Sequence, residues 1–153
     1  MKSLLFVLLL TFSGITNASY LLMPIDGVYD GDTIYTHFHE KRIPPPLNVL
    51  RVRVQHIDTP EMPAASYVET GKLNKAKCDA EALLATQAKF ALVKMIGDST
   101  TMKLTNFDWG SYPRRIVADV KINGQDVGQF LINNGYAVYD DGKTSVDNKD
   151  WCK

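Results

Sequence analysis

The sequence is poor in cysteine and histidine, and it has no excess of charge of either sign. Its 153 residues include 2 cysteines and 3 histidines, with 17 Lys+Arg against 17 Asp+Glu. A structural zinc site takes about four Cys or His ligands, so two isolated cysteines do not favour one. Domains that bind nucleic acid through their overall charge are usually basic, so any phosphate site in this chain must be locally rather than globally positive.

The sequence also lacks an apolar run long enough to cross a membrane as a helix, which takes roughly 20 residues. The run from Leu4 to Ile15 is shorter, follows a lysine and precedes the small residue Ala18. This pattern is typical of a secretory signal peptide cleaved after Ala18, with a buried N-terminal helix as the alternative. We therefore predict a signal peptide over residues 1–18 and one domain over residues 19–153.

Such a protein is expected to be secreted or periplasmic in a bacterium, with no stable membrane association after cleavage. In that oxidising environment Cys78 and Cys152 are expected to form a disulfide. The crosslink would close a long loop and stabilise the fold by roughly 4 kcal/mol in the chain-entropy model. Two free thiols are the alternative if residues 1–18 are not a signal peptide.

Strands predominate in the predicted secondary structure. Residues 20–38 are rich in β-branched and aromatic side chains, and residues 49–57 alternate between arginines on one face and valines and His56 on the other. Residues 100–104 and 116–122 are further predicted strands. The second of these is followed by Asn-Gly, which is a hairpin turn signal.

Two helices are predicted, over residues 74–96 and 127–133, each followed by a glycine that favours a helix end. The apolar face of the first helix is expected to consist of Ala80, Leu83, Leu84, Ala88, Ala91, Leu92 and Met95. The fold class is α+β and mainly β. A five-stranded OB-type barrel with two to three packed helices fits the length, and other α+β folds remain open.

The candidate site begins with acidic residues in the turns that end strands. Asp32 follows Asp30-Gly31, and Asp58 lies three residues before Glu61. A single aspartate in a turn is usually explained by local hydrogen bonding to the backbone. Several carboxylates that meet in space, however, repel one another unless a cation lies between them. Oxygen ligands without a histidine or cysteine partner favour calcium or magnesium.

Arginines accompany these acidic turns. Arg53 lies on the polar face of its strand, where a salt bridge to a carboxylate is the structural alternative to phosphate binding. Arg114 and Arg115 begin a later strand, and because neighbours on a strand point to opposite faces, at most one of them can line a given site. Guanidinium groups bind phosphate oxygens bidentately, so two of them beside a divalent cation would stabilise a phosphoryl group in a transition state.

Three motifs together resemble those of the staphylococcal nuclease (thermonuclease) family. They are Asp30-Gly31-Asp32-Thr33, Arg53 followed by Asp58-Thr59-Pro60-Glu61, and Tyr112-Pro113-Arg114. Their order matches the family, as does the five-residue step from the arginine to the second aspartate. The resemblance covers residues 25–139 and includes the later hairpin and helix.

The resemblance implies a calcium-dependent nuclease that hydrolyses DNA or RNA with low sequence specificity and leaves 3′-phosphate ends. It implies that Asp32 and Asp58 bind calcium through their carboxylates and that Thr59 binds it through its backbone carbonyl. Glu61 would orient or deprotonate the attacking water. We expect the enzyme to be a monomer.

The same resemblance implies that Arg53 and Arg114 bind the scissile phosphate, that Arg114 could also assist the leaving group, and that Tyr112 donates a hydrogen bond on the phosphate side. Two departures concern this segment. Pro113 stands where the family commonly has glycine, and Ser111 stands where its archetype has a lysine. Proline fixes φ and removes a donor, so the loop before the second arginine can be set differently.

Other interpretations remain open at this point. A non-catalytic OB-type nucleic-acid-binding domain is one, and a calcium-stabilised structural module is another. His37 and His39 could form a metal-binding pair, although solvated histidines at a strand end are the more frequent case. Trp109 and Tyr112 could stack on a base or simply pack a turn.

Overall fold

The computed structural model describes residues 19–39, 42–44, 46–63, 76–142 and 150–153. Within these ranges the protein is α+β and mostly strand, as predicted, with two helices. The strands are β1 (Leu21–Pro24), β2 (Gly27–Val28), β3 (Thr33–His37), β4 (Val49–Val54), β5 (Ile57–Asp58), β6 (Thr101–Trp109), β7 (Arg115–Ile122), β8 (Gln125–Asp126) and β9 (Val138–Tyr139). The helices are α1 (Asp79–Ile96) and α2 (Val127–Asn133). The predicted signal peptide lies outside the described residues.

One large mixed sheet carries the residues of the candidate site. Its strand order is β1-β6-β7-β4-β3-β2, and β8 pairs with β7 at one end. Neighbouring strands are antiparallel except β4 and β7, which run parallel. The described strands form an open path rather than a closed ring. The α+β prediction is therefore confirmed, whereas the OB-type barrel stays a prediction.

Strand β4 shows why one face of this sheet is apolar and the other can carry arginine. Val52 and Val54 are 0% and 2% exposed, and they point into the core, while Arg51 and Arg53 lie half-buried on the opposite face. This confirms the predicted alternation. Burial of each such apolar side chain stabilises the fold by about 1.5–3 kcal/mol, so a register slip that exchanged the two faces would be costly.

The strand predicted over residues 49–57 is interrupted near its end, and that part of the prediction was wrong. His56 has φ 63°, a left-handed value that a regular strand does not contain. The chain turns there, so that β5 leaves the main sheet and pairs with β9. His56 is exposed and its ring stacks on Tyr139, rather than lying on the valine face.

Helix α1 begins later than predicted, and its predicted apolar face is confirmed only in part, because Ala88 and Leu92 of that face are buried. Its N-cap is Cys78, whose Sγ accepts a hydrogen bond from the backbone N–H of Glu81. The buried positions are Glu81, Ala85, Ala88, Leu92 and Ile96, whereas Ala80 and Leu83 of the predicted face are exposed. This helix carries apolar residues on more than one side, and periodicity alone does not decide which side meets the sheet. The predicted bounds of α2 are confirmed.

The predicted disulfide between Cys78 and Cys152 is confirmed, with the two Cα atoms 6.0 Å apart. It ties the N-cap of α1 to a C-terminal segment whose Trp151 is buried. A structural disulfide is typical of proteins in an oxidising compartment, which agrees with export. In the described part of the chain, no helix has both the length and the apolar composition needed to span a membrane.

Candidate active site

The turn between β2 and β3 places the first acidic residues. The backbone N–H of Tyr29 donates to the carbonyl of Thr33 at 2.8 Å, which closes the turn. Within it, the Asp30 carboxylate accepts a hydrogen bond from the backbone N–H of Asp32 at 3.2 Å, the local bonding that favours aspartate in turns. Asp32 itself is 1% exposed at the start of β3, so its charge requires partners inside the protein.

Arg53 supplies the main partner and joins two segments of the chain. Its Nη1 donates to Asp32 Oδ1 at 2.8 Å, and its Nη2 donates to Asp58 Oδ1 at 2.9 Å. Strand register explains the first contact, because Arg53 of β4 lies opposite Thr33 of β3, next to Asp32. We call these three residues the Asp32–Arg53–Asp58 cluster. The sequence motifs predicted that they would meet, and the structure brings them together.

Two hydroxyl groups complete the bonding of the buried carboxylate. Thr33 Oγ1 donates to Asp32 Oδ1 at 2.9 Å, and Thr59 Oγ1 donates to Asp32 Oδ2 at 3.1 Å. Thr59 is buried and directly follows Asp58, so the segment after β5 is held against the turn before β3. With the guanidinium and two hydroxyls around it, Asp32 is a fixed anchor rather than a mobile side chain.

Gly31 allows this close approach. A Cβ atom at Gly31 would lie 2.8 Å from Thr59 Oγ1 and 3.0 Å from Ala88 Cβ of helix α1. The turn therefore packs directly on both the Thr59 segment and the helix. A side chain at position 31 would push the acidic turn away from the cluster.

We expect Gly31→Ala to destabilise the protein by about 2 kcal/mol, because overpacking forces backbone shifts. Urea unfolding of the purified variant measures this. Gly128→Ala is the matched control, since Gly128 lies in α2 and the nearest atom to an added Cβ is 3.4 Å away, an ordinary contact. Equal stability of Gly31→Ala and wild type would contradict the tight packing described for the turn.

Together with the neighbouring Asp30, the cluster contains more acidic than basic groups. Asp30, Asp32 and Asp58 face a single guanidinium, that of Arg53. Burial raises the pKa of Asp30 to about 7, and the neighbouring Asp32 charge adds to the rise. Burial also raises the pKa of Asp58, although Arg53 opposes the shift. Carboxylates whose charged form is disfavoured in this way would be stabilised by a nearby cation.

The donor chemistry of the cluster fits a hard cation, because carboxylate and carbonyl oxygens are the ligands that calcium prefers. In the residues that the structure describes, however, no three Asp, Glu, His or Cys side chains converge as a ready metal site. His37 pairs instead with the Asp26 carboxylate at 2.7 Å and contacts the exposed His39 ring. The prediction of calcium therefore depends on oxygen donors and on excess negative charge.

Glu61 lies two residues beyond Thr59, and its backbone is hydrogen-bonded to a residue of helix α1 that the sequence did not predict to be near it. The Oε1 of Glu81, a 3% exposed residue in the first turn of α1, accepts a hydrogen bond from the backbone N–H of Glu61 at 3.3 Å. The other oxygen of Glu81 accepts from the backbone N–H of Lys77. Glu81 thus connects the start of the helix to the segment of the proposed water-orienting residue.

The structure does not bring Arg114 into the cluster. Arg114 is exposed, has φ 58°, and its Nη1 donates only to the Pro46 carbonyl at 3.4 Å among the described residues. It directly follows Pro113, in the turn that leads into β7. Tyr112 is 61% exposed, and the guanidinium carbon of Arg115 lies 4.5 Å from the centre of its ring. Arg114 and Tyr112, two of the residues predicted to contact phosphate, are therefore accessible from solvent.

Three residues near this site were not among the predicted site residues. Arg51 and Arg115 lie side by side in neighbouring strands, on the face that also carries Arg53. The alternation along β4 indicates that Arg51 shares a face with Arg53. Only the parallel pairing of β4 with β7 shows that Arg115 lies next to Arg51 on that face. The signal for Glu81 is weak, because an acidic residue in the first turn of a helix is common.

Comparison with known proteins does not identify the chain. No protein family model matches it. No curated protein matches it either.

Proposed function

We propose that the protein is a calcium-dependent nuclease of the staphylococcal nuclease type, built on an OB-type barrel and exported by a bacterium. The observation that carries the proposal is the Arg53 guanidinium, which joins Asp32 and Asp58 from two separate motifs at 2.8 and 2.9 Å. A surface salt bridge would not need a buried aspartate, two threonine hydroxyls and a close-packed glycine around it. The substrate would be DNA or RNA.

In the proposed mechanism, calcium would be held by the carboxylates of Asp32 and Asp58 and by the backbone carbonyl of Thr59. When bound, it would supply positive charge that stabilises the phosphoryl group. Arg53 would share this task, because its guanidinium already points into the cluster. Glu61 would orient or deprotonate the attacking water, with its backbone fixed by Glu81.

Arg114 and Tyr112 would contact the substrate from outside the Asp32–Arg53–Asp58 cluster. Arg114 makes a single long hydrogen bond to Pro46 among the described residues, so turning its side chain towards a phosphate would disrupt little. Its charge would stabilise the transition state and the leaving oxygen. Tyr112 would donate a hydrogen bond on the phosphate side. Cleavage of the 5′ P–O bond would leave 3′-phosphate ends.

The direct test is hydrolysis of single-stranded DNA by the purified mature protein with calcium or with a chelator. We expect cleavage only with calcium, and a loss of rate of about 10²–10⁴-fold in Glu61→Gln, which is typical when a general base is removed. Asp98→Asn is the control, because it also removes one carboxylate but lies in the exposed turn that follows α1.

Three results would contradict the proposal. They are no cleavage by the wild type, cleavage that persists in the chelator, and equal rates in wild type and Glu61→Gln. Calcium-stimulated binding of DNA without hydrolysis would instead support the non-catalytic nucleic-acid-binding domain. Calcium-dependent thermal stability with neither binding nor cleavage would support the structural module.

A further inference from the structure

The outer face of the main sheet continues beyond Arg53 with further arginines and tyrosines. Arg51 precedes Arg53 by two residues on β4, so both side chains lie on the same face, about 7 Å apart along the strand. In register, Arg51 lies opposite Tyr35 of β3 on one side and opposite Arg115 of β7 on the other. A row of three polar side chains therefore crosses three strands directly beside the Asp32–Arg53–Asp58 cluster.

Aromatic rings extend this row at both ends. The ring of Tyr29 meets that of Tyr35 edge to face at 5.4 Å, and the guanidinium carbon of Arg51 lies 5.4 Å from the Tyr29 ring centre. At the other end Arg115 lies over the ring of Tyr112 at 4.5 Å. We call Tyr29, Tyr35, Arg51, Arg115 and Tyr112 the arginine–tyrosine strip. Its outermost rings are accessible, with Tyr29 39% and Tyr112 61% exposed.

The arginines of the strip differ from Arg53 in that they form no ion pair among the described residues. Arg53 forms ion pairs with two carboxylates, whereas neither Arg51 nor Arg115 has such a pair within the described ranges. In the same ranges, Arg115 Nε is buried and lacks a hydrogen-bond acceptor. Buried donors are normally satisfied, so an unsatisfied guanidinium nitrogen beside a second, half-buried arginine favours an anionic ligand.

We propose that the arginine–tyrosine strip binds the continuation of a single-stranded polynucleotide next to the scissile phosphate, an inference that rests on the proposed function. Arg51 and Arg115 would bind successive backbone phosphates, and Tyr29 and Tyr112 would stack on bases. Alternating cations and aromatic rings along a track are what an unpaired strand requires. A duplex fits poorly, because its base faces are already stacked on one another and do not reach the rings.

The test measures binding rather than cleavage, with the Glu61→Gln protein in calcium and an oligothymidylate of about 12 nucleotides, a length within the range of such binding sites. Adding Arg51→Gln or Arg115→Gln should weaken binding about tenfold and reduce the slope of log K against log salt by about 0.7, the value for one phosphate contact on a single strand. Tyr29→Leu and Tyr112→Leu should weaken binding about tenfold at an unchanged slope.

Lys121→Gln is the matched control. Lys121 lies on β7, on the same face as Arg115 but six residues further along; it is likewise cationic, and it is exposed. It should alter neither affinity nor slope. Unchanged slopes in both arginine variants, an equal effect of Lys121→Gln, or equally tight binding of duplex DNA would overturn the inference. Thermal melting identifies any variant that fails to fold, and Arg51→Lys, which keeps the charge, should retain the slope.

The two proposals fail separately in this design. A protein that binds through the strip but whose wild-type form never cleaves would refute the nuclease and leave the strip intact. A protein that cleaves normally while none of the strip variants alters binding would refute the strip and leave the nuclease intact.

Discussion

Arg53→Gln is expected to slow the proposed nuclease reaction strongly and to destabilise the calcium-free protein by about 3 kcal/mol, because removing one partner of a buried ion pair leaves an uncompensated charge. That charge is Asp32, which is 1% exposed and, among the described residues, would keep two threonine hydroxyl donors. The loss of rate should reach about 10³-fold, the effect typical of removing one group that stabilises transition-state charge.

Urea unfolding in a chelator measures the stability change, and Arg51→Gln is the matched control for stability. It removes the same charge from the same face of β4, but within the described residues Arg51 has only its contact with the Tyr29 ring to lose. We expect Arg51→Gln to cost about 1 kcal/mol, because Arg51 is half-buried and a cation–π contact is worth about 0.5–1 kcal/mol at an exposed site and about 2 kcal/mol when desolvated. Equal stability losses in the two variants would contradict the description of Arg53 as the partner of a buried charge.

Calcium should restore more stability to Arg53→Gln than to wild type. Without the guanidinium, Asp32 and Asp58 repel each other in a site that disfavours their charged forms, and a bound cation would offset that repulsion. Unfolding curves recorded with and without calcium test this expectation. An equal increase in stability with calcium in both proteins would mean that calcium does not bind between Asp32 and Asp58.

Loss of the Cys78–Cys152 disulfide is expected to reduce the free energy of unfolding by about 4 kcal/mol, because the bond closes a long loop in the unfolded chain. The two residues are 74 positions apart. Domains of this kind are typically stable by about 5–15 kcal/mol, so the reduced protein should lie close to its limit at physiological temperature. Urea unfolding of oxidised and reduced protein gives the difference, and coincident curves would contradict the expectation.

Substitutions at Cys78 distinguish the stability contributed by the disulfide from that contributed by the helix cap. Cys78 is also the N-cap of α1, since its Sγ accepts from the backbone N–H of Glu81 at 3.4 Å. Serine is a favourable N-cap and alanine is not, a difference of about 1 kcal/mol. In a Cys152→Ala background, Cys78→Ser should therefore be more stable than Cys78→Ala by that amount. Equal stability would mean that the thiol position contributes only through the disulfide.

The parts of the fold that were predicted from sequence are those with local causes. Alternation identified the two faces of β4, and Asn123-Gly124 identified the turn after β7, where both residues have positive φ. The face of α1 was predicted only in part, because which of its apolar residues are buried depends on the side that the sheet covers. The break at His56 depends on the pairing of β5 with β9, which is distant in sequence.

The residues of the candidate site that were predicted correctly are likewise those with local causes. Asp32, Arg53 and Asp58 were predicted to meet, and they do so through adjacent strands and a short turn. Arg114 was predicted beside them, but it lies outside the cluster with a left-handed φ after Pro113; the proline indicated that this loop could differ, but not in which direction the arginine would point. Glu81 could not be found from sequence, because its role arises only where the start of α1 meets the segment of Glu61.

The disulfide also bears on when the site is completed during synthesis. Cys152 is made after every strand and helix described above, so the bond to Cys78 can close only when the whole arrangement has emerged. Cys78 caps the helix turn from which Glu81 holds the Glu61 backbone. A chain held in a reducing environment would therefore carry all of its proposed catalytic residues without the crosslink next to the helix turn that contacts the Glu61 backbone.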